Sequence, residues 1–134
     1  MLDVSAPRLS EACNDYLALH TRTLREAVQA GQDGVLVAER YARVFDGLLG
    51  SLCCAASAIA RREAPALGRV ALVAVGGYGR RQVAPHSDVD VLFLCDDPSD
   101  PGSAQLAERV LYPLWDAGVD IGHVVRGLEE TLEL

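Results

Sequence analysis

Apolar residues recur at helical spacing over the first half of the chain and in short unbroken runs over much of the second. From about Leu9 to Ala30, the positions Leu9, Cys13, Tyr16, Leu17, Leu24 and Val28 fall along one broad face and predict an amphipathic helix. Gly31-Gln32-Asp33-Gly34 stops it. A longer run, rich in Ala and Leu, predicts a second helix from about Val35 to Glu63, before Pro65 and Gly68 break it. Its section Leu48–Ile59 is apolar nearly all round and is expected to be buried on several sides.

The pattern then changes. Val70–Val75 is a β-branched and aliphatic run that ends in Gly76-Gly77 and predicts a buried strand. Tyr78–Val83 predicts one helical turn, broken by Pro85, and Val89–Leu94 predicts a second strand. The turn-rich stretch Asp96–Gly102 leads to a helix capped by Ser103 and running to about Ala117, with Leu106, Val110, Leu111 and Leu114 inward and Trp115 packed. Gly118 ends that helix, Val119–Arg126 predicts a third strand, and a further helix starts at Gly127. This order predicts an α/β (α+β) fold: a mixed sheet flanked by helices, preceded by an N-terminal helical pair. Residues 1–68 form the helical region and residues 69–134 the sheet-bearing part.

The chemistry concentrates where the first two strands meet. Asp88 and Asp90 flank Val89, so both carboxylates leave the strand on the same side, with Cα atoms about 6.5 Å apart. They can share one Mg²⁺ or bridge two ions. The apolar residues around them suggest two like charges set against a core, which a cation would compensate. Gly76 and Gly77 leave no Cβ in the way of a ligand, so their backbone N–H groups can approach phosphates. Arg80 and Arg81 stand next to them, with guanidinium geometry suited to phosphate oxygens. Ser87 is placed to orient Asp88, to bind phosphate, or simply to cap the turn. A bland reading exists for each residue: a glycine turn, solvated aspartates, surface arginines.

Gly76-Gly77, ten residues, then Asp88-Val89-Asp90 resembles the signature of the DNA polymerase beta-type nucleotidyltransferase superfamily. The fuller string from Val75 through Gly76-Gly77-Tyr78-Gly79-Arg80 to Pro85, Ser87 and Asp88-Val89-Asp90 resembles one branch, the bacterial protein-PII uridylyltransferases. Leu114-Trp115-Asp116, Gly122-His123 with Arg126, and Leu128-Glu129-Glu130 are similar to that branch as well.

The resemblance implies a partial nucleotidyltransferase core over residues 69–134, within a longer protein. It implies transfer of UMP from UTP to a PII-type regulatory protein, with Mg²⁺ (or Mn²⁺) held by Asp88 and Asp90. It also implies a cytoplasmic enzyme of nitrogen signalling. A glutamine-synthetase adenylyltransferase-like enzyme and a non-catalytic nucleotide-binding module are the alternatives. The chain departs from the family in carrying Arg81-Gln82 where Gly-Glu is usual, and Gly77 stands where the wider superfamily often has Ser. A third acid is also expected, either Asp120 or a residue beyond Leu134. His123 either faces the site or is an ordinary strand histidine.

Composition narrows the partners. The net charge is −7 and all twelve basic side chains are arginine. Such a balance argues against a general nucleic-acid binder but not against a nucleoside triphosphate, which is recognised locally. No apolar stretch of 18 residues is expected, so no membrane partner is either. Cys13, Cys53, Cys54 and Cys95 lack metal-ligand spacing and are expected as free thiols.

Overall fold

The computed structural model describes residues 6–84 and 88–133. Helix α1 spans Ala6–Gln29 and α2 spans Gly34–Glu63. Strand β1, Val70–Val75, runs straight into a single helical turn, α3, Gly76–Gly79. Strand β2 is Val89–Cys95, helix α4 is Pro101–Asp116, strand β3 is Ile121–Gly127 and the short α5 is Leu128–Leu132. The fold class matches the expectation from the sequence, and most boundaries shift by only a few residues.

Three local readings change. The helical turn begins on the glycines themselves, not at Tyr78. Pro85, expected to end it, lies outside the described residues. Helix α4 is capped by Asp100, whose carboxylate accepts from the Gly102 N–H at 2.9 Å, with Pro101 at the first helical position. Proline there fits because the N–H it lacks would have no helical partner. Ser103, the expected cap, is instead buried and donates to the Asp97 carbonyl at 3.1 Å. Strand β3 starts at Ile121, which places Asp120 in the loop before it rather than within it.

The sheet order is β1-β2-β3, antiparallel then parallel. Helices α1, α2 and α4 pack on one another and cover one face of it. Side chains alternate along a strand and paired residues share a face. On the covered face lie Val89, Val91 and Phe93, all buried, with Leu72 and Ala74 from β1 and Ile121 and Val125 from β3. They meet Phe45, Leu49 and Leu52 of α2 and Leu106, Val110, Leu111 and Leu114 of α4 in one core. The opposite face carries Asp90, Leu92 and Leu94 beside Val73, Val75, Gly122 and Val124.

Helix α2 buries Val37, Tyr41, Phe45, Leu48, Leu52, Ala56 and Ala60 on one stripe. Gly50, Ser51, Cys54 and Ala58 are exposed, so the Leu48–Ile59 section is not buried all round; small side chains occupy its outer side. That composition makes α2 long and apolar enough to cross a bilayer by length and composition alone, where no such stretch was expected. All four cysteines are free, with Cys13 and Cys95 buried, Cys53 half-buried and Cys54 exposed. At the far end of the sheet, Arg69 clasps Asp96 with its backbone N–H at 2.7 Å and its guanidinium at 3.2 Å.

Candidate active site

The end of β1 and the starts of β2 and β3 meet at one edge of the sheet. Val75 pairs with Asp90, and Asp90 with Gly122, so the Asp90 carboxylate has a backbone on either side. Both neighbouring positions lack a side chain. A β-carbon on Gly76 would stand 3.3 Å from Asp90 Oδ2, and one on Gly122 only 2.5 Å from Oδ1. Two glycines therefore leave open the space that this carboxylate occupies on the uncovered face.

Asp88 and Asp90 are both exposed. The expectation that their charges sit against a core is thus corrected. The apolar residues Val89, Val91 and Phe93 point to the other face, while the two acids meet water. The structure places Asp120, one of the two expected sources of a third acid, close to this pair. The Val89 N–H donates to the Asp120 carbonyl at 3.1 Å, which brings Asp120 beside Asp88. Asp88, through its carboxyl group first and its charge second, pushes the Asp120 pKa up; burial and then the Asp90 charge add to this. Neighbouring carboxylates repel, and a cation between them would relieve that repulsion.

Among the described residues no three His, Cys, Asp or Glu side chains converge closely enough to hold a single ion. Asp88 stands just before β2 and Asp90 within it, and Asp120 lies beside Asp88 in the loop before β3. This all-oxygen donor set fits a hard divalent cation of the Mg²⁺ or Mn²⁺ kind, whose remaining positions phosphates and water would complete.

The glycine turn faces this group. Gly76 adopts φ +59°, which allows the chain to leave β1 and enter α3 at once. Gly79 packs so close that a β-carbon there would stand 2.9 Å from the Ala74 carbonyl. No side chain caps the start of the turn, and the first amides of a helix have no partner within it. Arg80 is exposed, with Nη2 3.9 Å from where a Gly77 β-carbon would be, so its guanidinium lies over the turn. Arg81 is also exposed and its backbone adopts φ +58°. Ser87 lies outside the described residues.

His123 pairs with Val91 and contacts Phe93 and Trp115 at ring-centroid distances of 6.5 and 5.5 Å. It is therefore on the helix-covered face and turned from the carboxylates. Trp115 packs at the rim, its indole N–H donating to the Ile121 carbonyl at 3.3 Å. Two contributors were not singled out from the sequence. Gly122 was seen only as part of a motif, and strand pairing alone reveals its place beside Asp90. Tyr78 is buried, and its hydroxyl donates to the Asp46 carboxylate of α2 at 2.6 Å. Burial first, then the bond to Asp46 and its charge, raise the Tyr78 pKa and keep the hydroxyl a donor.

No family model matches the chain, and no solved structure matches it. Curated relatives do. A bifunctional uridylyltransferase/uridylyl-removing enzyme of Chromobacterium violaceum is 38% identical over 116 residues, 87% of this chain and 13% of the relative. The enzyme of the same name from Streptomyces coelicolor is 40% identical over 111 residues, 83% of this chain and 12% of the relative. That from Bradyrhizobium diazoefficiens is 39% identical over 114 residues, again 12% of its length. The chain thus spans a small part of the relatives it matches. By sequence it is similar to one segment of the bifunctional uridylyltransferase/uridylyl-removing enzymes.

Proposed function

We propose that this chain carries the core of a metal-dependent nucleotidyl-transfer site, with UTP as donor and a PII-type regulatory protein as acceptor. In this reading the acceptor hydroxyl oxygen, from a protein tyrosine, attacks the α-phosphorus of UTP. The bond from that phosphorus to the bridging oxygen breaks, pyrophosphate leaves and the hydroxyl proton passes to a nearby carboxylate or to water. Asp88 and Asp90 would hold the divalent cation, with Asp120 beside Asp88 as the candidate third acid, and the cation would supply charge neutralisation at the phosphates. Gly76 and Gly77 offer backbone N–H groups, and Arg80 a guanidinium, to the β- and γ-phosphates. Arg81 and Ser87 stand beside these groups in sequence and complete the proposed set. Uracil and PII as partners come from the names and resemblance of the relatives; no described residue reads the base. A cytoplasmic location belongs to the same reading.

The observation that carries it is the sheet edge at which Asp90 stands between Gly76 and Gly122 and the Val89 N–H bond to the Asp120 carbonyl brings a further acid beside Asp88. Like charges gathered on one edge, opposite a glycine turn whose start no side chain caps, favour a cation bound together with an anion. Calorimetric titration of the chain with UTP in Mg²⁺ tests this. Saturable binding is expected, lost without the cation and in Asp88→Asn and Asp90→Asn. Wild-type binding that survives both substitutions would refute the reading. Titration with ATP separates it from an adenylyltransferase-like enzyme.

A second reading, a module that binds nucleotide without transferring it, is favoured by the lack of three convergent ligands among the described residues. Labelled UMP appearing on a PII-type protein, or failing to while UTP binds, decides between the two.

A further inference from the structure

The glycine turn is too short to hold its own shape. Four residues form it, no side chain caps its start, and nucleating a single helical turn is unfavourable in water. Its closing bonds, Arg81 N–H to the Tyr78 carbonyl and Gln82 N–H to the Gly77 carbonyl, require a positive φ at Arg81, which a side chain disfavours. Something outside the turn must fix it. Val83, buried just after it, anchors the exit. Within the turn, only Tyr78 is buried. Its ring meets Phe45 edge-on at 6.3 Å, and its hydroxyl reaches Asp46 one residue further along α2.

We infer that Tyr78 is a positioning residue for the triphosphate, acting through its hydrogen bond to Asp46, so that α2 sets the attitude of the glycine amides. The inference rests on the nucleotidyl-transfer reading above and extends it, because it makes the N-terminal helical region part of the nucleotide site. The geometry supports a specific function for this bond. Aromatic packing on Phe45 alone would bury the ring; the 2.6 Å bond to a carboxylate additionally fixes where the turn lies along α2. Tyr78 follows directly on Gly77, so a shift of its ring displaces the amides next to it. The same α2–β1 boundary opens into a groove of about 500 Å³ lined by Asp46, Leu49, Cys53, Leu72, Ala74 and Tyr78, which leaves the tether little other packing on that side.

The test uses the chain itself with UTP and Mg²⁺. Tyr78→Phe keeps the ring and removes the bond; Asp46→Ala removes the acceptor. Each is expected to weaken UTP binding about tenfold, the factor a hydrogen bond to a charged group commonly represents. The double variant is expected to lose no more than either single one, since both act through one bond. Amide exchange in the free protein is expected to speed up at residues 77–82 in both variants while α4 stays protected.

Equal UTP affinity in wild type and Tyr78→Phe would overturn the inference and leave the nucleotide reading intact, even if Asp46→Ala fails to fold. Additive losses in the double variant would overturn it also, by showing two independent structural effects. Absence of UTP binding by the wild type would instead remove the nucleotide reading and the inference with it.

Discussion

Asp90 and Gly122 are direct neighbours on β2 and β3, and the Asp90 carboxylate fills the space a side chain on Gly122 would need. Gly122 is not among the glycines with positive φ, so alanine there adds no backbone strain. The clash would be with the free end of an exposed side chain, which turns aside at little cost. Gly122→Ala is therefore expected to leave stability within about 0.5 kcal/mol while moving the Asp90 carboxylate. Mn²⁺ affinity, followed by paramagnetic titration, is expected to fall roughly 10- to 100-fold. Unaltered Mn²⁺ binding would show that this open space has no role.

Asp120 gives a second, separate expectation. If its carboxylate serves the cation, Asp120→Asn weakens Mn²⁺ binding by roughly tenfold or more. If it only crowds Asp88, removing its charge leaves affinity unchanged or improves it, and the third acid must be sought elsewhere.

Three helices end in the same pair of hydrogen bonds. Gly31 and Gln32 donate to Val28 and Ala27, Gly118 and Val119 to Trp115 and Leu114, and Arg81 and Gln82 to Tyr78 and Gly77. The first two use glycine at φ +86° and +81°, whereas the third uses arginine at +58°. Arg81→Gly is expected to stabilise the chain by about 1 kcal/mol, while Gly31→Ala and Gly118→Ala destabilise it by a similar amount. Urea unfolding measures all three. A destabilised Arg81→Gly would mean that the arginine side chain makes a compensating contribution.

The Arg69–Asp96 clasp sets an acid limb. The Arg69 guanidinium first, and its backbone N–H second, hold the Asp96 carboxyl below the usual carboxylate range. A group whose folded pKa is depressed stabilises the fold above its unfolded pKa and loses that contribution as pH falls through the folded one. Acidification from neutral pH should therefore cost wild type more stability than Asp96→Asn. Both residues are exposed, so the difference is small and screened by salt. Parallel pH titrations of the urea midpoint at low and high salt check it.

Local pattern was enough for the elements. Val70–Val75 is bounded as expected because a short aliphatic run between glycines has few alternatives to a strand. Helix α4 shows where such reading slips by a few residues. Asp100-Pro101 and Ser103 are both plausible starts, and only the buried position of Ser103 under the Asp97 carbonyl decides between them. The resemblance to uridylyltransferases was likewise legible from motif residues, and curated relatives at 38–40% identity agree with it.

The site is another matter. Spacing along β2 put Asp88 and Asp90 on one side but could not say which face of the sheet is covered. That depends on helices α1, α2 and α4 packing against Val89, Val91 and Phe93, which leaves both acids in water. Asp120, Gly122 and Asp46 lie 32, 32 and 32 residues from Asp88, Asp90 and Tyr78 respectively. Contacts at that range arise from strand register and helix packing, to which periodicity along the chain is blind. The amino-acid sequence determined the elements, their order and the shared side of Asp88 and Asp90. Tertiary structure decided the open face, the place of Asp120 beside Asp88 and the support beneath the glycine turn, because each needs segments distant in sequence to meet in space.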